Sequence, residues 1–433
     1  MNKIFFLILL FLLHNCSLDT KSGLWTKTEK ISKQKNPVII EQNEKTEILE
    51  KEFNKNLKIK LKGGYKILSF IENLTNNNGH LNFDGTFKKK SKYKFSKIEN
   101  FKFLQPDLLL TKKQSIIFFN KKGDILNFDD NSKLLWKKNF YNKNEKKMGP
   151  ILYFASKNNK LVVTDNLANY YALNLENGNL LWKFTNSAPF NSQVKIYKDK
   201  IFAIDFENIL RCYSLNTGKE LWNFKTEKSF IKSQQKLSLL IYKDKVVFNN
   251  TLGDISSVDV NTGNLIWQVP TQSNTIYENA FSLKSSDLVL ESNSIYFSNN
   301  KNEFFAINAN NGQLIWRNNI NSNLRPTIIE KLVFSVSKEG FFIIADALTG
   351  NIIRITNIFD RFKNKKKEIE PTGFIVAKNK IYISLNNGKL IIANILDGKS
   401  IDLIKIDGNK ISRPYILNRN LYVITNNSIV KIN

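Results

Sequence analysis

The chain has 433 residues, 42% of them hydrophobic, and its 65 Lys plus Arg against 38 Asp plus Glu give a net charge of +27. That length leaves room for one very large domain or two to three ordinary ones, and the apolar content, with only 18 Gly and 8 Pro, excludes a disordered or collagen-like chain. The charge alone would point to a nucleic-acid partner; the first residues argue against it.

Residues 1–3 are a short basic start, and residues 4–13 are an unbroken apolar run, the length of a signal-peptide core and too short to span a bilayer. The run ends at Leu13-His14-Asn15-Cys16 and gives way to charged sequence. This junction resembles the lipobox of bacterial lipoproteins, which implies residues 1–15 as a signal peptide and Cys16 as the lipidated new N-terminus. Ser17 stands where an Asp would retain such a lipoprotein at the inner membrane, so the resemblance points to the periplasmic face of the outer membrane. Cleavage leaves 64 basic against 38 acidic side chains. In a periplasm that charge meets no nucleic acid; anionic lipid or an acidic protein can attract it, and a genome biased toward Lys and Asn accounts for it without any partner.

From residue 17 to about residue 64 the sequence is Lys- and Asn-rich with no repeat, as in a spacer between an anchor and a folded body. Ile48, Leu49, Phe53 and Leu57 fall at helical spacing, so a short amphipathic helix is expected within an N-terminal tether spanning 16–80.

The remainder is dominated by a repeat. Glu176-Asn177-Gly178-Asn179-Leu180-Leu181-Trp182 recurs as Asn216-Thr217-Gly218-Lys219-Glu220-Leu221-Trp222, as Asn261-Thr262-Gly263-Asn264-Leu265-Ile266-Trp267 and as Asn310-Asn311-Gly312-Gln313-Leu314-Ile315-Trp316. Looser copies lead from Asn131-Ser132 to Trp136 without the Gly, and from Thr349-Gly350 to Arg354 and Asp397-Gly398 to Asp402 without the Trp. Each unit reads as an apolar run, an Asp/Asn turn, a second run, a Gly turn and a third run, the grammar of consecutive hairpins. The turn Gly supplies a positive φ. With a fourth strand from the segment leading into the next unit, such as residues 193–197, each unit is a propeller blade. The repeated Trp suits packing between adjacent sheets.

The landmarks recur about every 44 residues, within the roughly 40–50 of propeller repeats. After Asp402, residues 411–416, 421–425 and 428–432 supply three strands of a further blade, and the alternating stretch 92–98 is expected to complete it. The fold class is therefore all-β: an eight-bladed β-propeller of four-stranded antiparallel blades over 81–433, its last blade closed by an N-terminal strand. The lysines on that strand belong at an outer edge, where charge discourages edge-to-edge pairing.

The catalytic inventory is thin. The whole chain holds only two His, His14 and His80, and two Cys, Cys16 and Cys212; once cleavage removes His14 and acylation takes Cys16, the one His and one Cys left are too few for a zinc site of Cys and His ligands within one chain. Any Ser-His-Asp or Cys-His site would have to use His80. Cys212 lies in a strand-like stretch and reads as a small buried hydrophobe. No motif singles out a carboxylate pair, so no catalytic, cofactor-binding or metal residue is assigned.

The Gly-x-x-x-Trp repeats, the eight-unit count and the lipobox-like N-terminus together resemble the pyrroloquinoline-quinone-like propeller repeats, and more narrowly the BamB lipoproteins of the outer-membrane β-barrel assembly machinery. The resemblance covers about residues 80–433 and the export signal. It implies a non-enzymatic, lipid-anchored scaffold without a cofactor, a monomer within a hetero-complex, that binds the periplasmic domains of the barrel-forming subunit BamA. Such proteins contact that partner through an inter-blade loop bearing apolar residues beside an Arg, and the counterpart here is Phe230, Ile231 and Lys232, with Lys in place of Arg. A surface Phe-Ile pair marks an interaction site on physical grounds too, unless both residues pack beneath their loop. A lysine-rich stretch at residues 361–367 reads as a solvated loop or a contact to an acidic partner. Two other classes remain: a periplasmic propeller that binds another protein or an envelope polymer, and a quinone-dependent dehydrogenase. The dehydrogenases resemble a longer chain with a calcium-bound cofactor and a disulfide of adjacent Cys residues, a pair this sequence lacks.

Overall fold

The hairpins read from the repeat are realised as eight four-stranded antiparallel sheets. The structure is a computed structural model, and it describes residues 59, 61, 73–88, 90–99, 101, 104, 106–227, 235–271, 283–359 and 369–433. All of these belong to one compact unit, residues 50–433. In chain order the strands of blade 1 fall within residues 109–138, blade 2 within 152–185, blade 3 within 195–225, blade 4 within 239–269, blade 5 within 289–318, blade 6 within 327–357 and blade 7 within 371–405. Each of these sheets follows chain order from its first strand to its fourth. The first strands of blades 2 to 5 lie side by side, which puts strand one at a central channel and strand four at the rim.

Blade 8 closes the ring. Tyr415–Leu417, Asn420–Ile424 and Ser428–Ile432 are its inner three strands, and the fourth is Lys90–Lys94, paired antiparallel from Lys90 opposite Ile432 to Lys94 opposite Ser428. The sequence placed this strand at 92–98. It stops at Lys94 because its partner strand begins at Ser428; beyond that, the amides of Phe95 and Ile98 donate to the carbonyls of Asn427 and Asn426 in the preceding turn. Lys90, Lys92 and Lys94 point to solvent, whereas Tyr93 is fully buried and meets Phe128 of blade 1 edge to face at 5.5 Å.

The middle strands are buried at almost every position because a neighbouring blade covers each face, as in Ile116–Phe119. The core is thus a series of clusters between blades; one holds Phe202 and Cys212 of blade 3 with Val246 and Phe248 of blade 4. The Asp/Asn turn joins strands two and three. Asp165 Oδ1 accepts from the amides of Leu167 and Asn169, both at 2.8 Å, and Asn120, Asp205 and Asn250 repeat the arrangement.

The Gly and the Trp of the repeat turn out to be two halves of one joint between neighbouring blades. Gly178, Gly218, Gly263, Gly312 and Gly350 have φ between +70° and +78°, and a Cβ on any of them would lie within 3 Å of Trp136, Trp182, Trp222, Trp267 and Trp316 respectively. Each indole Nε1 donates to a carbonyl of the same next blade: Leu175, Leu215, Val260, Ala309 and Ala347, at 3.0–3.3 Å. Blade 6 has Arg354 at this position, and there Thr356 Oγ1 donates to the Asp397 carbonyl at 2.8 Å beside Gly398. In blade 1 Ser132 takes the Gly place with φ +70°.

Candidate functional site

The inner edge of a propeller blade presents unpaired backbone groups to the channel, and these need partners when buried. Residues 73–81 supply them for four blades. The Leu74 carbonyl accepts from Ile241 of blade 4, and the Thr75 carbonyl from Leu290 of blade 5, both at 2.9 Å. Asn76 Nδ2 donates to the carbonyls of Leu239 and Leu288 at 2.8 Å. Asn77 brackets Ile328 of blade 6, accepting from its amide at 3.1 Å and donating to its carbonyl at 2.9 Å. Leu81 donates to the Val376 carbonyl of blade 7 and accepts from the Lys378 amide, and His80 Nε2 lies 2.9 Å from the Lys378 carbonyl oxygen. Asn76, Asn77, Asn78, His80 and Leu81 are all buried. Short amide side chains suit this work because each offers both donors and an acceptor. Ile59 is also buried, in a cluster with side chains of blades 6 and 7.

Next to this plug lies a cluster of charges. Asp107 pairs with Lys236 and Arg413, and accepts from the Tyr415 hydroxyl at 3.1 Å. Asp287 accepts from Arg325 Nε at 2.6 Å and lies 3.2 Å from Arg413. Lys195 donates to the Asn73 carbonyl and to Asn76 Oδ1. Four of these residues stand at one place in the repeat: Asp107, Asp287, Arg325 and Arg413 come two residues before the first strand of blades 1, 5, 6 and 8, and Lys236 comes three before that of blade 4, one residue out of step. Gln193 holds the place of the four in blade 3. A buried serine precedes three of them. Ser192, Ser286 and Ser412 each accept, at 2.7–2.9 Å, from an amide twelve residues on, of Ile204, Ser298 and Ile424, which ties the approach to the channel to the second strand.

The cluster shifts its own ionisation. Burial would raise both carboxyls, but Arg413, Lys236 and Arg325 outweigh it: Asp107 lies well below the ordinary carboxylate range and Asp287 is held down to about 2. Burial, reinforced by Arg325 and Arg413 against Asp287 and Asp107, pulls Lys195 down to about 7. A partly open cavity of about 100 Å³ adjoins the cluster; Asp107, Lys195, Arg325 and Arg413 line it with Asn76 and Tyr153.

Of the residues singled out in the sequence, Cys16 and the triplet Phe230, Ile231 and Lys232 lie outside the described residues, as do the expected helix around 48–57 and the lysines of 361–367. Cys212 is fully buried, and burial pushes its thiol up to about 12, so it is a core side chain and not a nucleophile. Among the described residues no three His, Cys, Asp or Glu side chains gather as a metal site. The plug and the charge ring were not foreseen; an alignment of the repeats on the residue two before each first strand would have shown four of the ring's charges, Asp107, Asp287, Arg325 and Arg413.

The family model described as outer membrane protein assembly factor BamB matches residues 121–356. A sequence search of curated proteins returned no match. Among solved structures, BamB from Moraxella catarrhalis superposes with a TM-score of 0.61 at 14% identity, covering 76% of this chain and 99% of that one. A europium-containing methanol dehydrogenase gives 0.62 at 11%, covering 82% and 89%. The C-terminal WD40 domain of Sif2 gives 0.57 at 13%, covering 86% and 99%. At such identities these likenesses speak to the propeller architecture alone.

Proposed function

The chain belongs to the family of outer membrane protein assembly factor BamB, and from that premise we propose that it is a non-enzymatic scaffold of outer-membrane protein assembly. In this reading it is anchored through Cys16 to the periplasmic face of the outer membrane, binds the periplasmic domains of a BamA-like subunit, and assists insertion of β-barrel proteins. The observation that carries the proposal is the family match across the repeats of blades 1 to 6. The construction of those repeats supports it: their recurring Gly and Trp residues form joints between neighbouring blades, as a platform requires. Phe230, Ile231 and Lys232, between blades 3 and 4, are the proposed contact. The methanol dehydrogenase likeness is one of fold and adds no observation for a redox reaction.

The test is affinity capture of the lipidated protein from solubilised membranes, with mass spectrometry of what copurifies, beside a Phe230→Ala, Ile231→Ala double variant and Cys16→Ala. A barrel-assembly subunit recovered with the wild type and lost with the double variant supports function and contact together. Recovery that survives the substitution moves the contact elsewhere. Absence of any such subunit overturns the proposal, and Cys16→Ala remaining in the membrane fraction overturns the lipid anchor.

A further inference from the structure

Buried charges are normally matched one for one, because an unpaired ion in a protein interior loses its hydration without return. Among the described residues the channel departs from this: four cationic side chains, Lys195, Lys236, Arg325 and Arg413, gather around two carboxylates, Asp107 and Asp287. The carboxylates are already engaged by Lys236, Arg325 and Arg413, whereas Lys195 donates to two neutral oxygens. An ammonium has three N–H donors, so one is left over after those two bonds. The cavity adjoins this cluster: among the described residues its wall carries Lys195, Arg325 and Arg413 against one acid, Asp107. Its volume of about 100 Å³ is several times the roughly 10–15 Å³ that one water requires.

We propose that this cavity is a binding site for a small oxyanion, a phosphate- or carboxylate-bearing ligand held by Lys195 with Arg325 and Arg413. Guanidinium groups match the geometry of both oxyanions, and the partly apolar wall, with Leu108, Leu109 and Phe154, strengthens the attraction by excluding water. Asn73 and Asn76 of the plug are part of the wall and hold the Lys195 ammonium, so the site exists only with residues 73–81 in place. An anion bound here therefore stabilises the seated plug. The inference is independent of the barrel-assembly reading, and either can fail without the other.

The experiment is isothermal titration and thermal melting of the full chain at low ionic strength with sulfate, whose charge is constant over the pH range used, and with citrate, chloride serving as control. The expected result is saturable one-site binding and a raised melting temperature; the stronger of the two probes distinguishes a phosphate-type from a carboxylate-type ligand. Lys195→Gln keeps a donor for Asn73 and Asn76 without the charge and is expected to weaken binding at least tenfold, while Lys113→Gln on the exposed surface leaves it unchanged. The wild type gives a second reading that needs no variant. Lys195 is faced by Arg325, Arg413, Lys236, Asp107, Asp287 and Tyr153; the two carboxyls stay ionised and Tyr153, pushed up by burial, stays neutral across pH 6–8. Sulfate affinity should fall about tenfold between pH 6 and 8 as the ammonium, free value about 7, loses its proton. Absence of saturable binding by either probe, or binding unchanged in Lys195→Gln and flat between pH 6 and 8, would overturn the proposal and leave a self-contained ion-pair network.

Discussion

If the repeated Gly serves to seat the neighbouring indole, its substitution must be coupled to that indole. Gly263 has φ +75°, and a Cβ there would lie 2.6 Å from Cε3 and 2.8 Å from Cδ2 of Trp222. Gly263→Ala thus carries two penalties: about 1–2 kcal/mol for an L-residue in the left-handed region, and about 1–3 kcal/mol for forcing the ring out of its packed position. Trp222→Ala alone removes a half-buried indole and its bond to the Val260 carbonyl, a loss near the lower end of the roughly 3–5 kcal/mol of buried Trp truncations. In the double variant the steric penalty has no ring to act on and only the backbone penalty remains. The cycle should therefore show a coupling of about 1–3 kcal/mol, read from urea unfolding followed by circular dichroism, which does not depend on the deleted fluorophore. Additivity of the two substitutions within about 0.5 kcal/mol would refute the joint and reduce the Gly to a turn requirement.

Other consequences are equally direct. Tyr93→Ala, which empties the 8–1 seam and removes the hydroxyl that donates to the Asp130 carbonyl at 3.0 Å, should lower stability by about 3–5 kcal/mol; Lys92→Ala on the exposed side of the same strand should change it by less than about 0.5 kcal/mol, both measured by thermal melting. Asn76→Ala should cost about 1–3 kcal/mol for each carbonyl it orphans, and hydrogen exchange should quicken at the Ile241 and Leu290 amides while rim-strand amides stay protected. Asp287, with a folded-state value of about 2 against an ordinary 3.8, contributes stability that is present above about pH 4 and lost as pH falls through 2; the acid slope of the urea midpoint between pH 4 and 2 should flatten in Asp287→Asn. Lys195 acts with the opposite sign: its folded value of about 7 lies below 10.5, so its burden is full below pH 7 and eases as pH rises toward 10, a rise that Lys195→Gln should abolish.

The blades were legible because the two residue types that make the joints recur close together in sequence: the Gly turn precedes its own blade's Trp by a few residues, even though each Gly serves the preceding blade's Trp. Blade 8 was legible by subtraction, from three terminal strands lacking a fourth. Its strand boundary was off because it is set by where Ser428 begins the partner strand, a long-range fact. The plug left no periodic trace. Asn73, Asn76 and Asn77 read as tether sequence because their partners lie on four different blades, more than a hundred residues away. The charge ring was hidden for a different reason: Asp107, Asp287, Arg325 and Arg413 share a position in the repeat but not a residue type or a sign of charge, Lys236 lies one residue out of step, and a search for identical landmarks passes over such a position.

Rim joints, plug and closing strand divide the ring among themselves. Indole joints link blades 1 to 6 in sequence at the rim, and they stop where Arg354 and Asp402 replace Trp. The plug binds blades 3 to 7, so it spans the 6–7 seam that has only Thr356 in place of an indole. Past Leu81 the same segment packs Phe83 against Tyr382 of blade 7 at 5.2 Å, in a cluster shared with Ile416 and Leu421 of blade 8, before Lys90–Lys94 closes that blade and Tyr93 meets blade 1. One stretch of about twenty residues thus secures the arc of the ring that lacks tryptophan. Removing it should leave blades 1 to 6 jointed and release blades 7 and 8, so that unfolding of a chain lacking residues 73–94 separates into two steps, with the six jointed blades melting last; a single cooperative step would mean that the plug and the indole joints do not act on separate arcs.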